Sequence, residues 1–148
     1  MIYTELTKRA MNIAYERHHG KYDKSEVPYI FHPYHLAEQM GEDEYAVCVA
    51  LLHDVVEDTN TSFEELSILF PEQIINALKL LTHDEQDDYL TVYIPAIKKN
   101  PLARKVKIAD LLHNLDENRL PPPKNADEKL WNEMRIDKYK NALAILRY

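Results

Sequence analysis

The chain has 148 residues, of which 45% are hydrophobic and 29% charged, and a formal net charge of −7. That length suits one domain around one core, and the composition is that of an ordinary globule rather than a disordered or membrane-embedded chain. The acidic balance opposes a broad nucleic-acid surface, which needs a basic face.

A phosphorylated small molecule remains compatible with that charge, because bound divalent cations reverse the local potential. No apolar run approaches the roughly 18 residues of a membrane span and no signal peptide precedes the first amphipathic segment, so the expected compartment is the cytoplasm. Cys48 is the only cysteine, which excludes an intramolecular disulfide and fits a small core residue. Gly20 and Gly41 are the only glycines, too few for a P-loop or a dinucleotide fingerprint.

In chain order, residues 4–19 carry Leu6, Ala10, Ile13 and Ala14 at helical spacing and stop at Gly20, which predicts a first amphipathic helix. A loop over 20–31 turns apolar at Pro28-Tyr29-Ile30-Phe31 and delivers His32-Pro33. Pro33 suits the first turn of a short second helix through Met40, ended by Gly41. A third helix is predicted over 43–58, and its Tyr45–Leu52 run is apolar on every side, which for a helix means burial all round. After a turn at 59–61, Ser62 and Glu65 fit a capping box that opens a fourth helix over 63–70. A fifth starts at Pro71 with Ile74, Ile75, Leu78 and Leu81 on one stripe, and an acidic connector follows over 84–88. The sixth is predicted over 89–99 with a kink near Pro95. The seventh, over 102–118, is expected to bury Val106, Ala109, Leu112 and Leu115 or near neighbours. Three prolines at 121–123 break the chain, and a last helix over 127–147 shows Leu130, Met134, Leu143 and Leu146 as its expected inner face. No segment alternates like a strand, so the predicted fold class is all-α, a bundle of about eight helices in one domain.

Polar groups at the ends of these apolar stretches need compensation, because ionised carboxylates in an apolar setting are strongly disfavoured without a partner or a metal. The third helix runs from its buried half into His53, Asp54, Glu57 and Asp58; His32 opens the second helix and Asp110 interrupts the apolar stripe of the seventh. Two imidazoles and two carboxylates suit a divalent metal with open positions for water or phosphate oxygens, and the lack of thiolates favours Mn²⁺, Mg²⁺ or Fe²⁺ over structural zinc. Glu57 and Asp58, one turn further on, can hold or deprotonate a water. Acids at a helix C-terminus oppose the macrodipole and so call for a separate reason. Asn114, one turn after Asp110, can face the same cavity. Each residue singly has a plainer reading: His32 as a helix-end hydrogen bonder, Asp110 paired with Lys107 or Arg104, and His35, His83 and His113 as surface or supporting groups.

Four motifs then carry a resemblance: H-x-G at His18 to Gly20, P-Y-I-x-H-P at Pro28 to Pro33, A-L-L-H-D-V-V-E-D-T at Ala50 to Thr59, and R-x-V-K-x-A-D-x-x-H-N at Arg104 to Asn114. Over about residues 5–147 the chain resembles the HD-domain phosphohydrolases, and among them the hydrolase domain of the RelA/SpoT alarmone enzymes and the stand-alone small alarmone hydrolases. The resemblance implies that His32, His53, Asp54 and Asp110 hold a divalent metal, manganese in that family. It further implies that Glu57 and Asp58 serve the attacking water, that Asn114 contacts the nucleotide sugar, and that the reaction removes the 3′-pyrophosphate of guanosine tetra- or pentaphosphate. Where those hydrolases have H-x-G-Q-x-R, this chain has Lys21 and Asp23, and Asp23 cannot pack on guanine as the arginine does; Thr82-His83 and Glu117 also depart from the pattern. Lys21 and Lys24 are then expected to pair with phosphates, with Tyr22 or Tyr29 stacking on a base.

The expected partner is a small-molecule nucleotide, with no nucleic acid and no membrane; a homo-oligomer is left open. The alternatives are an HD phosphatase for another nucleotide, such as a nicotinamide dinucleotide phosphate or a nucleoside monophosphate, and a non-catalytic nucleotide sensor. The Glu57-Asp58 pair argues against the sensor, since a pure binder has no need to activate water.

Overall fold

A computed structural model describes all 148 residues: nine α-helical segments, a π-helical turn and a 3₁₀ turn, with one isolated β-bridge between Tyr22 and Pro28 and no strand. The segments are α1 (Glu5–His18), α2 (Phe31–Glu38), α3 (Glu44–Leu52), α4 (Val55–Asp58), α5 (Phe63–Leu69), α6 (Glu72–Leu81), α7 (Ile94–Lys98), α8 (Pro101–Asn114) and α9 (Ala126–Arg147). No helix is long and apolar enough to cross a membrane. Short polar side chains start the helices by accepting the otherwise unsatisfied first N–H groups. Asp43 accepts from Ala46 N at 3.1 Å, Ser62 from Glu65 N at 3.2 Å and Asn100 from Ala103 N at 3.0 Å.

The centre of the molecule is α3, which packs against α1, α2, α6 and α8. Every residue from Ala46 to Leu52 is buried, as the all-round apolar run requires, and they join one core cluster with residues of α1, α2, α6, α7, α8 and α9. The helix predicted to continue to residue 58 breaks at its end. The Ala50 carbonyl accepts from His53 Nδ1 at 2.7 Å and receives no bond from the Asp54 N–H, and Asp54 leaves helical geometry at φ −122°, ψ 9°. Consecutive residues of an unbroken helix point about 100° apart. The break lets His53 and Asp54 face one cavity.

Three further expectations are corrected. The irregularity placed at Pro95 precedes it: Tyr89–Tyr93 is a π-helical turn, and Pro95 sits in the first turn of α7, where a missing N–H costs little. Leu112 is 46% exposed; Ala103, Val106, Asp110 and Leu111 form the buried side of α8. On α9 Leu143 and Leu146 are buried, but Leu130 and Met134 are 56% and 63% exposed. Nine residues separate Met134 from Leu143, two and a half turns, so the two lie on opposite faces. The stripe that does continue from Leu143 runs through Tyr139, Ile136, Arg135 and Asn132, all half-buried, and it brings the polar side chains of α9 over the site.

Candidate metal centre and active-site cavity

A cavity of about 380 Å³ opens beside the α3–α4 break, between α2, α8, the π-helical turn and α9. Its floor holds the buried side chains of His32, His53 and Asp110, whose ligand atoms all lie within 4.8 Å of one another. His32 Nε2 is 3.0 Å from Asp110 Oδ1, and His53 Nε2 is 3.7 Å from the same oxygen. A carbonyl only accepts, so His53 Nδ1 donates to Ala50 O and its Nε2 lone pair faces the cavity, the tautomer a metal ligand needs. His32 Nδ1 is 2.7 Å from His113 Nδ1, and the His113 ring stacks in turn on His35 with centroids 3.9 Å apart.

Asp110 is held by both oxygens. Oδ1 accepts from Asn114 Nδ2 at 3.0 Å and Oδ2 from Lys107 Nζ at 2.9 Å. Burial alone would raise this carboxyl, but Lys107 and the two imidazoles hold it well below the usual carboxylate range, so it is an anion. Asp54 behaves similarly: burial pushes it up, and His53, the facing His18 imidazole and the hydrogen bond from the Tyr29 hydroxyl bring it below its ordinary value. Asp54 lies outside the mutually close group. Its Oδ2 accepts from the Tyr29 hydroxyl and is 3.5 Å from His53 Nε2, while its Oδ1 faces His18 Nε2 at 3.3 Å. Two imidazole nitrogens and one or two carboxylates, without sulfur, suit a hard or borderline divalent cation.

Glu57 and Asp58 stand exposed on the cavity wall. Glu57 Oε1 accepts from the His83 N–H at 2.8 Å, which aims the carboxylate. Partial desolvation raises Glu57, and desolvation followed by Asp54 raises Asp58, both in the direction of a working base.

No family model matches the chain. Among curated proteins it is 31% identical over 152 residues to the guanosine-3′,5′-bis(diphosphate) 3′-pyrophosphohydrolase MESH1 of Xenopus tropicalis, covering 90% of this chain and 78% of that protein. The MESH1 of Danio rerio is 33% identical, with 92% and 79% covered. The chain belongs to this pyrophosphohydrolase family. A probable GTP pyrophosphokinase of Mycobacterium leprae is 32% identical across 88% of this chain, which spans only 18% of that longer protein. The solved structure of a metazoan SpoT ortholog superposes with a TM-score of 0.84 at 24% identity, covering 99% of this chain and 88% of that one, so the two share the helical fold.

The residues expected to contact the substrate lie at different places in this fold. Tyr29 and Asn114 line the cavity, with the Tyr29 hydroxyl on Asp54 and Asn114 between Asp110 and Arg119 Nη1. Lys21 points to the rim, where Nζ donates to the Asp58 carbonyl. Lys24 is seated elsewhere: its Nζ lies 3.8 Å over the Trp131 ring, in a separate groove beside Leu120 and Pro121. Tyr22 is 64% exposed outside the cavity. Asp23 organises its own loop, Oδ1 accepting from Ser25 N at 2.8 Å and Val27 N at 3.0 Å, next to Glu26 in the left-handed region at φ 65°.

Of the cavity's other polar walls, sequence reasoning gave Lys107 only as a pairing partner for Asp110 and His83 only as a surface or supporting group, and passed over Arg119, Lys138, Tyr139, Tyr89 and Tyr93. A signal existed for two of these walls. Lys107 stands three residues before Asp110, one helical turn, and Tyr139 lies one turn before Leu143.

Proposed function

We propose that this chain is a metal-dependent hydrolase that removes the 3′-pyrophosphate of guanosine 3′,5′-bis(diphosphate), or of the corresponding pentaphosphate, in the cytoplasm. The observation that carries the reading is the buried His32-His53-Asp110 group at the floor of a cavity whose wall holds two carboxylates of raised pKa. His32, His53 and Asp110 hold the divalent cation, Mn²⁺, and Asp54 completes the set from beside His53. When bound, the cation withdraws charge from the phosphoryl oxygens and acidifies water.

The residues of the chain do the rest. Glu57, aimed by the His83 N–H, takes a proton from the attacking water, and Asp58 beside it keeps that water oriented. The water oxygen bonds to the phosphorus next to the ribose, the bond from that phosphorus to the 3′ oxygen breaks, and the 3′ oxygen leaves with a proton as a hydroxyl. Lys107, held by Asp110, sets a fixed positive charge where negative charge accumulates. Asn114 and Arg119 form the wall where the sugar lies.

Turnover across a nucleotide panel with added Mn²⁺ tests the reading. Hydrolysis of the guanosine compound, lost with chelator and in His53→Ala, is the expected result. Turnover confined to a dinucleotide phosphate or a nucleoside monophosphate would assign the same chemistry to another substrate. Binding of all of them without turnover would make the protein a sensor.

A further inference from the structure

The cavity extends past the metal-binding group, with Lys107 as the divider. Lys107 Nζ is bound to Asp110 Oδ2 at 2.9 Å on one side and lies 5.9 Å from the Tyr89 ring centroid on the other. Tyr89 belongs to the π-helical turn, and its wider winding carries the ring onto the cavity wall. The Tyr89 hydroxyl is buried and has no hydrogen-bond partner; apart from the facing pair His18 and Asp54, it is the only buried polar side-chain group left so. A buried, unpartnered hydroxyl is costly, and native structures rarely keep one without a reason. The second group at this end is Lys138, from the half of α9 that the corrected stripe turns toward the site. Its Nζ lies 4.7 Å from the Tyr89 ring and 5.4 Å from the Tyr139 ring, and no carboxylate comes within 4.0 Å of it. A chain of net charge −7 thus leaves an ammonium without a counter-charge beside a buried hydroxyl that lacks an acceptor.

We propose that Tyr89 and Lys138 form a second phosphate subsite, which holds the substrate's 5′-diphosphate while the 3′-pyrophosphate lies at His32, His53 and Asp110. The inference rests on the hydrolase reading above and adds to it which part of the substrate is recognised and by what. A neutral hydroxyl and an ammonium, the latter 4.7 Å from the ring that carries the hydroxyl, both border this end of the cavity, where one anionic group can meet them together. An anion there satisfies the orphaned hydroxyl and neutralises Lys138 together, whereas a nucleobase stacked on Tyr89 would do neither. Lys107 separates this anion from the reacting one, which favours a ligand carrying phosphate groups at two positions of one sugar.

The test compares guanosine 3′,5′-bis(diphosphate) with guanosine 3′-diphosphate, which lacks the 5′ group, on the full chain with Mn²⁺. Tyr89→Phe removes only the hydroxyl; Lys138→Met removes only the charge from an exposed residue and so keeps the test open if the aromatic variant folds poorly. The preference for the bis(diphosphate), taken as the ratio of the two kcat/KM values, is expected to fall about tenfold in each variant, through KM rather than kcat. A preference within twofold of the unmodified protein in both variants would overturn the subsite. If the unmodified protein hydrolyses neither compound, the hydrolase reading fails, and titration calorimetry of guanosine 5′-diphosphate into the metal-free protein decides the subsite alone. Binding weakened about tenfold in both variants supports it, and equal binding in all three proteins refutes it.

Discussion

His53 faces the cavity with Nε2 because its Nδ1–H is taken by the Ala50 carbonyl, and His32 meets the same requirement through His113. The 2.7 Å contact between the two Nδ1 atoms needs one donor and one acceptor, and a His32 that keeps Nε2 free for a cation must be the donor. His113→Leu is therefore expected to weaken Mn²⁺ affinity about 10- to 100-fold by equilibrium dialysis, the scale of losing a partner behind a metal ligand, while His113→Gln, which offers an amide oxygen, keeps most of it. Glu57→Gln and Asp58→Asn should each lower kcat by about 10²-fold or more and leave Mn²⁺ affinity largely intact. Because Glu57 is raised, its carboxylate is lost on acidification earlier than an ordinary glutamate's. The acid limb of the pH–rate profile should accordingly lie above the ordinary glutamate range and shift in Glu57→Gln. The His53-Asp54 doublet, His32 and Asp110 could be read from the sequence because each is a charged group set against an apolar run. His18 could not. Its burial against Asp54 comes from the packing of α1 on α3 and α4, a long-range contact that no local pattern encodes.

The elements built on uniform patterns were legible, and those that depend on phase were not. The α3 run had a single possible reading, burial on all sides, and the capping side chains marked helix starts to within a residue or two. The split at His53-Asp54 was hidden because a side-chain imidazole competes for a backbone carbonyl, a contact that spacing does not reveal. On α9 four apolar residues looked like one stripe although a half-turn separates the two pairs. Leu146→Ala should lower the unfolding free energy by about 2–5 kcal/mol, the cost of a core cavity, whereas Met134→Ser should stay within about 0.5 kcal/mol. Urea melts of the two variants separate them. Cys48, buried in α3 with its thiol pushed up to about 12 by burial and then by Glu44, should resist thiol reagents in the native protein and titrate as one thiol in denaturant.

At the scale of the whole molecule, one apolar cluster ties together the helices that carry or end in His32, His53 and Asp110, so a cation held by them would stabilise the fold. Free Mn²⁺ at 100 times its dissociation constant should raise the unfolding free energy by about 2.7 kcal/mol, and chelator should reverse the gain. The charge of −7 is compatible with a phosphate substrate because the cavity collects Lys107, Arg119 and Lys138 from a chain that is acidic elsewhere. Product analysis by ion-exchange chromatography, after incubating the Mn²⁺-loaded protein with guanosine 3′,5′-bis(diphosphate), bears on the proposed activity with the fewest intermediate assumptions. Guanosine 5′-diphosphate and pyrophosphate in equal amounts, absent in the His53→Ala control, are the expected products. Orthophosphate in place of pyrophosphate, or unchanged substrate after metal binding has been verified on the same sample, would contradict it.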